Sequence, residues 1–192
     1  AVTLGATPVD GRLFVQIRAG LLFFADFEDS DGGFVAENKG TGTGISWGAP
    51  DTLGLGGGDI TSGNGGSFKC WGTNLTGGYD AGTDVCLRSP VINLAGTTGA
   101  TLSFAGAIDA NTGHTFEVIL IEAATGTLIA NLVPPTGDDD MTVAPWEPLG
   151  PIPLPAAAFA QPFQIEWRFT GDGDGTFGGV YLDDVAIMET MP

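Results

Sequence analysis

The sequence predicts an all-β domain, a two-sheet antiparallel β-sandwich of the jelly-roll type, and three observations carry that prediction. Glycine and proline supply 32 and 12 of the 192 residues, enough turn formers to divide the chain into short pieces. Hydrophobic residues make up 43% of the chain and the mean hydropathy is +0.21, so those pieces belong to a packed interior and not to a disordered polymer. Several of them alternate apolar and polar residues, whereas none sustains a helical period. The length suits one domain with a sizeable core.

Residues 1–19 stand apart from the rest. "RLFVQIRAG" reads as a strand with Leu13, Val15 and Ile17 on one face and Phe14, Gln16 and Arg18 on the other, and it holds two of the six basic residues. It is the first strand of the same domain, the last strand of an upstream one, or an arm that completes a neighbouring subunit's sheet. The sandwich itself is expected over residues 20–192. There "LLFFADFE", apolar on both faces, predicts a buried strand ended by the turn "DSDGG". "FVAEN" and "GISWGAP" predict short strands, and residues 53–67 a glycine-rich loop. "SFKCWGTN", "VCLRSPVINL", "ATLSFAGAID", "TFEVILIEA" and "LIANLVP" follow as strands at short intervals, and "PAAAFA" is the best place for a helix of at most two turns. The clearest strand is "FQIEWRF", where Phe163, Ile165, Trp167 and Phe169 share a core face and Gln164, Glu166 and Arg168 the other. Short strands between glycines and prolines describe a sandwich.

The closing strand "GGVYLDDVAIME" places Asp183 and Asp184 side by side in an apolar run. Alternation puts the two carboxylates on opposite faces, so one of them turns inward. An inward carboxylate costs several kcal/mol unless a base or a metal accompanies it, and this chain is short of bases. The net charge of −17, from 23 acids against 6 bases, argues the same way. It repels nucleic acid and anionic lipid and makes divalent cations the natural partners, while also serving the solubility of an extracellular protein. No apolar run approaches the roughly 18 residues of a membrane-spanning helix.

Cys70 and Cys86 are the only cysteines, and they flank "WGTNLTGGYDAGTDV". An even pair around a glycine-rich loop predicts a disulfide worth about 3 kcal/mol, and with it an oxidising compartment. The sequon Asn74-Leu75-Thr76 lies inside the same loop and has meaning only in a eukaryotic secretory pathway.

Four segments in order, "FFADFEDSDGGF", "WGTNLTGGY", "LRSPVINL" and "VYLDDVAI", resemble the extracellular jelly-roll modules of the MAM-like and cleaved-adhesin type, found in large secreted or surface proteins of bacteria. The likeness spans about residues 21–189. It implies a two-sheet sandwich, no catalysis, an extracellular or cell-surface location, and a structural calcium ion near the first and last strands. In such modules the acidic residue after the aromatic of the first strand and the first aspartate of the closing strand are ligands, here Glu28 and Asp183. A hard cation takes six to eight oxygens, and Asp26, Asp59 and Asp109 are the loop carboxylates that would help complete the set.

Other motifs carry less. "GISWG" matches a serine-hydrolase elbow at Ser46, but no helix follows and His114, the only histidine, sits in "NTGHTF". "GDGDGTFG" matches a dinucleotide fingerprint, yet its aspartates repel a pyrophosphate and no helix stands behind it. One histidine and two distant cysteines do not make a zinc site. No carboxylate pair is singled out for glycoside hydrolysis. Sugar-binding modules stack pyranose rings on exposed aromatics, which makes Trp71 and Tyr79, and after them Trp47 and Trp146, candidates for glycan contact, with packing under glycine-rich loops as the competing role. Two expectations follow: a non-catalytic structural or adhesive subunit that joins copies of itself through its N-terminal strand, or a carbohydrate-binding module of a larger secreted protein.

Overall fold

Period-two patterning and frequent turn residues give strands and almost no helix. The computed structural model describes residues 6–9, 12–15, 20–53, 59–110, 113–137, 142–173, 175 and 177–190. Its strands are β1 (Ala6–Val9), β2 (Arg12–Val15), β3 (Leu21–Ala25), β4 (Val35–Asn38), β5 (Ser46–Gly48), β6 (Cys70–Gly72), β7 (Thr83–Arg88), β8 (Ala100–Asp109), β9 (Thr115–Glu122), β10 (Leu128–Gly137), β11 (Thr142–Pro153), β12 (Phe163–Gly171) and β13 (Gly179–Glu189). One sheet runs β10-β9-β12-β7-β4; the other runs β11-β8-β13-β6-β5, with β3 also on β13. The strand pairs within both sheets are antiparallel.

The predicted sandwich is therefore present. Its core joins inward side chains of both sheets: Val85, Leu87, Val118, Leu120, Ile165, Trp167 and Phe169 from one, Leu102, Phe104, Val180, Leu182, Val185 and Ile187 from the other. The alternation read in "FQIEWRF" holds throughout β12, since Phe163, Ile165, Trp167 and Phe169 all lie in this core. A second, smaller cluster of Ile60, Cys70, Ala107 and Tyr181, with Leu75 and Trp146 against it, covers the outer face of the six-stranded sheet.

"PAAAFA" forms the 3-10 turn Ala156–Phe159, within the two turns expected there. Two expectations change. β11 went unread because Pro145, Pro148, Pro151 and Pro153 argue against a strand; at a sheet edge, with two register shifts, the missing N–H groups are tolerated. "LLFFA" is not buried on both faces: β3 pairs with β13, and its outward Leu22 and Phe24 stand 37% and 40% exposed. In the N-terminal segment the described strand Arg12–Val15 pairs antiparallel with Ala6–Val9; Leu13 and Val15 fall on it, and Ile17, with the rest of 16–19, lies outside the described residues.

The adjacent aspartates also depart from alternation. The pairing of β13 with β8 shifts between Asp183 and Ala186, and Asp184 takes a left-handed backbone, φ 48°. Asp183 shares the outer face with Tyr181 by alternation, and the bulge after it resets the period so that Val185 and Ile187 return to the core.

Candidate functional site

The outer face of the six-stranded sheet lies under the loop that joins β5 to β6. Gly65 and Gly66, φ 63° and 88°, give its 3-10 turn Asn64–Gly66 a tight return that side chains rarely allow. Two carboxylates hold the loop. Asp183 Oδ2 accepts from the Asn64 N–H at 2.8 Å and the Ser67 hydroxyl at 3.0 Å, and its Oδ1 accepts from the Asp184 N–H at 2.8 Å. Glu28, just past β3, accepts from the Phe68 N–H at 3.0 Å and the Lys69 N–H at 2.8 Å, one on each oxygen. Asp184 does not point to the opposite layer, as alternation required, but takes the Asn64 side-chain amide at 2.7 Å. The first and last strands thus grip one loop.

Backbone geometry fixes both grips. Phe27, next to Glu28, has φ 55°, an uncommon conformation for a bulky residue, and its ring is buried edge-on to Phe34 at 5.0 Å. Trp47 donates from Nε1 to the Phe27 carbonyl at 2.7 Å, and the Lys69 ammonium sits 4.4 Å from the Trp47 ring centre while donating to the Glu28 carbonyl at 2.9 Å. Lys69 therefore serves a main-chain oxygen. Among the described residues no base pairs with Asp183.

Asp183 is 1% exposed. Burial pushes its carboxyl up to about 6, against the N–H groups of Asn64 and Asp184 and the Ser67 hydroxyl, and the neighbouring Asp184 charge adds to the rise. An ionised carboxylate has about four lone-pair sites, so three donors leave Asp183 one and two donors leave Glu28 two. At Gly63 a Cβ would stand 2.7 Å from Asp183 Oδ2 and 2.8 Å from the Lys69 carbonyl, and closer still to the Ser67 hydroxyl. Carboxylate, carbonyl and hydroxyl oxygens crowd Gly63 on that side, so the loop passes over Asp183 only because this position carries no side chain.

The remaining predicted ligands are elsewhere. Asp26 is exposed and takes only the Glu28 N–H, at 3.4 Å; Asp59 is exposed at the start of the described part of the loop. Asp109 is buried but opposite Gly179, four residues along β13 from Asp183 and hence about 13 Å away, and it accepts from the Gly178 N–H at 2.7 Å. Among the described residues no three carboxylate, imidazole or thiol groups form a metal-binding cluster.

The disulfide is corrected. Cys70 and Cys86 are free buried thiols. Cys70 lies with Tyr181 on the outer face of one sheet, and Cys86 lies beside Glu166 on the outer face of the other, so the sandwich separates them. The glycan candidates are corrected as well: Trp71 and Tyr79 are buried, Trp71 donating to the Asp31 carbonyl at 3.2 Å and Tyr79 packing edge-on against Phe169 at 5.3 Å. Neither has a free face for a sugar ring. Trp146 is half-buried and donates to the Ser62 carbonyl at 3.0 Å. Ser46 is exposed on β5, whereas His114 is buried and stacked on Phe169. In the sequon, the Asn74 side chain closes its own turn, donating to the Gly78 carbonyl at 2.8 Å.

One charged cluster escaped sequence reasoning. On the outer face of the five-stranded sheet Glu166, 0% exposed, accepts from Arg88 Nε and Nη2 at 2.9 and 2.6 Å and from Arg168 Nε, with Lys39 Nζ at 3.8 Å. Glu37 and Glu117 flank the two arginines at 3.6 and 3.4 Å. Burial alone would raise the Glu166 carboxyl, but the hydrogen bonds from Arg88 and Arg168 outweigh it and hold the group below its ordinary value. Glu166 and Arg168 on the non-core face of the clearest strand, in a chain with six bases, were the available signal.

No family model matches the sequence, and no curated protein matches it. Solved structures do. A cleaved adhesin domain of Lys-gingipain from Porphyromonas gingivalis superposes with a TM-score of 0.56 at 21% identity, covering 88% of this chain and 99% of that one. The xylan-binding domain of Paenibacillus barcinonensis Xyn10C gives 0.52 at 12% identity over 92% and 99% of the two chains. A family 11 carbohydrate-binding module from Clostridium thermocellum, in complex with a β-1,3-1,4-mixed-linked tetrasaccharide, gives 0.50 at 11% identity over 90% and 98%. The chain has the fold of cleaved adhesin domains and of these carbohydrate-binding modules.

Proposed function

We propose that this β-sandwich is a non-catalytic, extracellular structural or adhesive module, stabilised by a calcium ion between Glu28 and Asp183 and joined to other copies through its N-terminal segment. The observation that carries the cation is a buried aspartate that no base pairs with among the described residues, on the loop that Glu28 also holds. Glu28, Asp183 and the Lys69 carbonyl would hold the ion, which would supply the positive charge that Asp183 lacks and tie the loop to both strands. A structural role is supported by the position of the site, which closes a loop over the sheet. The decisive experiment is a thermal melt with calcium and with EDTA. Chelation should lower the melting temperature, and Glu28→Ala or Asp183→Ala should remove that sensitivity; a melting temperature indifferent to EDTA would sink the calcium reading.

Carbohydrate recognition is the second reading, and the Glu166 cluster favours it over the buried Trp71 and Tyr79. Arg88, Arg168 and Lys39 are each about a third exposed, so they present fixed donors on an otherwise acidic molecule. A glycan array with the native chain and with Arg88→Ala tests it; an array with no hits removes it.

A further inference from the structure

An asparagine loses its side-chain amide most readily when glycine follows it, because no Cβ shields the next main-chain nitrogen from the asparagine side chain. This chain has six asparagines, and only Asn64 precedes a glycine. The fold sets that pair in an open turn. Gly65 and Gly66 are exposed, and a Cβ at Gly65 would meet nothing within 4 Å, so a ring has room to close there and water can reach it. The turn's two hydrogen bonds run from the Gly66 N–H to the Gly63 carbonyl and from the Ser67 N–H to the Asn64 carbonyl, each at 3.2 Å, and neither uses the Gly65 N–H. The surroundings make loss of the amide consequential. Asn64 binds β13 twice, its main-chain N–H donating to Asp183 at 2.8 Å and its side-chain amide to Asp184 at 2.7 Å. The second bond needs an NH2 group. A carboxylate in its place has no proton to give and faces Asp184 as a like charge, with Asp183 adjacent.

We infer that Asn64 is a self-modifying site, whose conversion to aspartate or isoaspartate unlatches the loop between β5 and β6 from β13. The Gly65 nitrogen attacks Cγ of Asn64. The new N–Cγ bond closes a succinimide ring, the Cγ–Nδ2 bond breaks, and the amide nitrogen leaves as ammonia with the proton that the Gly65 nitrogen gives up. Water then opens the ring. Cleavage of the N–Cγ bond leaves aspartate on the original backbone; cleavage of the bond between the main-chain carbonyl of residue 64 and the Gly65 nitrogen leaves isoaspartate, with the chain rerouted through Cγ. One water is consumed and one ammonia released, and no other reactant is needed.

The tests are run in EDTA, so that a bound cation has no part in them. The purified chain is aged in mildly alkaline buffer and digested, and its peptides are read by mass spectrometry and with an isoaspartyl methyltransferase. Residue 64 should become a mixture of aspartate and isoaspartate ahead of the other asparagines, and Asn64→Gln, whose longer side chain closes a ring poorly, should give no isoaspartate there. An Asn64 still intact in the folded chain long after a synthetic peptide of residues 61–68 has converted overturns the modification, and so does an Asn64 that converts no sooner than the others. The consequence is read at Cys70, which lies with Ile60 and Tyr181 on the face that this loop covers. Asn64→Asp should speed the reaction of Cys70 with a thiol reagent severalfold while Cys86 keeps its rate. The double variant Asn64→Asp, Asp184→Asn exchanges acceptor and donor, and asparagine accepts the left-handed backbone of position 184 as readily as aspartate, so the unmodified rate should return. An unchanged Cys70 rate in Asn64→Asp overturns the unlatching, and a fast rate that the exchange fails to slow overturns charge repulsion as its cause.

Discussion

Two buried carboxylates, one on the outer face of each sheet, are equally hidden from water and sit at opposite ends of the electrostatic range. Glu166 is surrounded by Arg88, Arg168 and Lys39, and its carboxyl is held below its ordinary value. Asp183 has only N–H and O–H donors, with Asp184 as its nearest charge, and is raised to about 6. Burial acts upward on both; the sign of the outcome is decided by whether a full positive charge is present. Half of the six basic residues are spent on Glu166, and Lys69, on the loop that Asp183 holds, is turned to a carbonyl and a tryptophan. One site is therefore electrostatically complete as folded, and the other is the one that the proposed calcium ion would complete.

The largest test of that contrast removes each carboxylate in turn. Glu166→Ala leaves two guanidiniums and an ammonium facing one another; losing one partner of a buried pair costs about 3 to 5 kcal/mol, and the lower end applies because the bases keep about a third of their surface in water. At roughly 2 to 4 °C per kcal/mol the melting temperature should fall about 6 to 12 °C, equally with calcium and with EDTA. Asp183→Asn should behave otherwise. At calcium about 100-fold above its dissociation constant the ion contributes about 2.7 kcal/mol, or about 5 to 10 °C, which this variant should lose while showing no response to EDTA. If both variants respond to EDTA alike, the contrast between the two faces is wrong.

A smaller effect distinguishes the faces by pH. Glu166 is lowered, so its contribution is present above its ordinary value near 4.5 and is lost as pH falls through its folded value. Asp183 is raised, so without calcium the folded state binds the extra proton between 3.8 and about 6, and stability is lost as pH rises across that window, on the order of 2 kcal/mol. Melts in EDTA from pH 4 to 7 should show a decline that Asp183→Asn abolishes and Glu166→Gln does not. With saturating calcium the ion favours the carboxylate, and the decline should flatten or reverse. A decline that calcium leaves untouched would mean the ion does not meet Asp183.

The contrast also explains what could be read in advance. The sandwich was legible because β12 alternates cleanly against turn-rich connections; Glu28 and Asp183 were singled out through the resemblance of four short segments, and both hold the loop between β5 and β6. The shared side of Asp183 and Asp184 was not legible, because a bulge at Asp184 breaks the period on which the reading relied. Asp109 was drawn into the set by its carboxylate alone; only the strand register reveals that it sits four residues away, closing the β13 entry at Gly178. The cysteine pair looked like a loop closure in one dimension, whereas β6 and β7 belong to different sheets. Trp71 and Tyr79 alternate with glycines, a pattern as compatible with burial under loops as with display, and burial prevailed. β11 was hidden by its prolines, which an edge strand accommodates.

Those same thiols give the finest comparison, since each reports on one face. Cys70 is raised by burial first, then by Asp183 and Glu28; Cys86 is pushed up to about 12 by burial, then by Glu166, with Lys39 and Arg88 acting against it. Both are protonated at neutral pH and buried, so neither reacts until its cover opens. Reductant should leave the melting temperature unchanged, whereas a disulfide around that loop would have contributed about 3 kcal/mol. Under native conditions a thiol reagent should label both slowly. Chelation should then speed labelling of Cys70 alone, because the loop over it is the one that Glu28 and Asp183 hold, while Cys86, under the Arg88 and Arg168 bridges, keeps its rate. Mass spectrometry of the two peptides resolves the sites. Equal acceleration at both would mean that calcium stabilises the whole sandwich and not that loop, and equal indifference would return the loop to its hydrogen bonds.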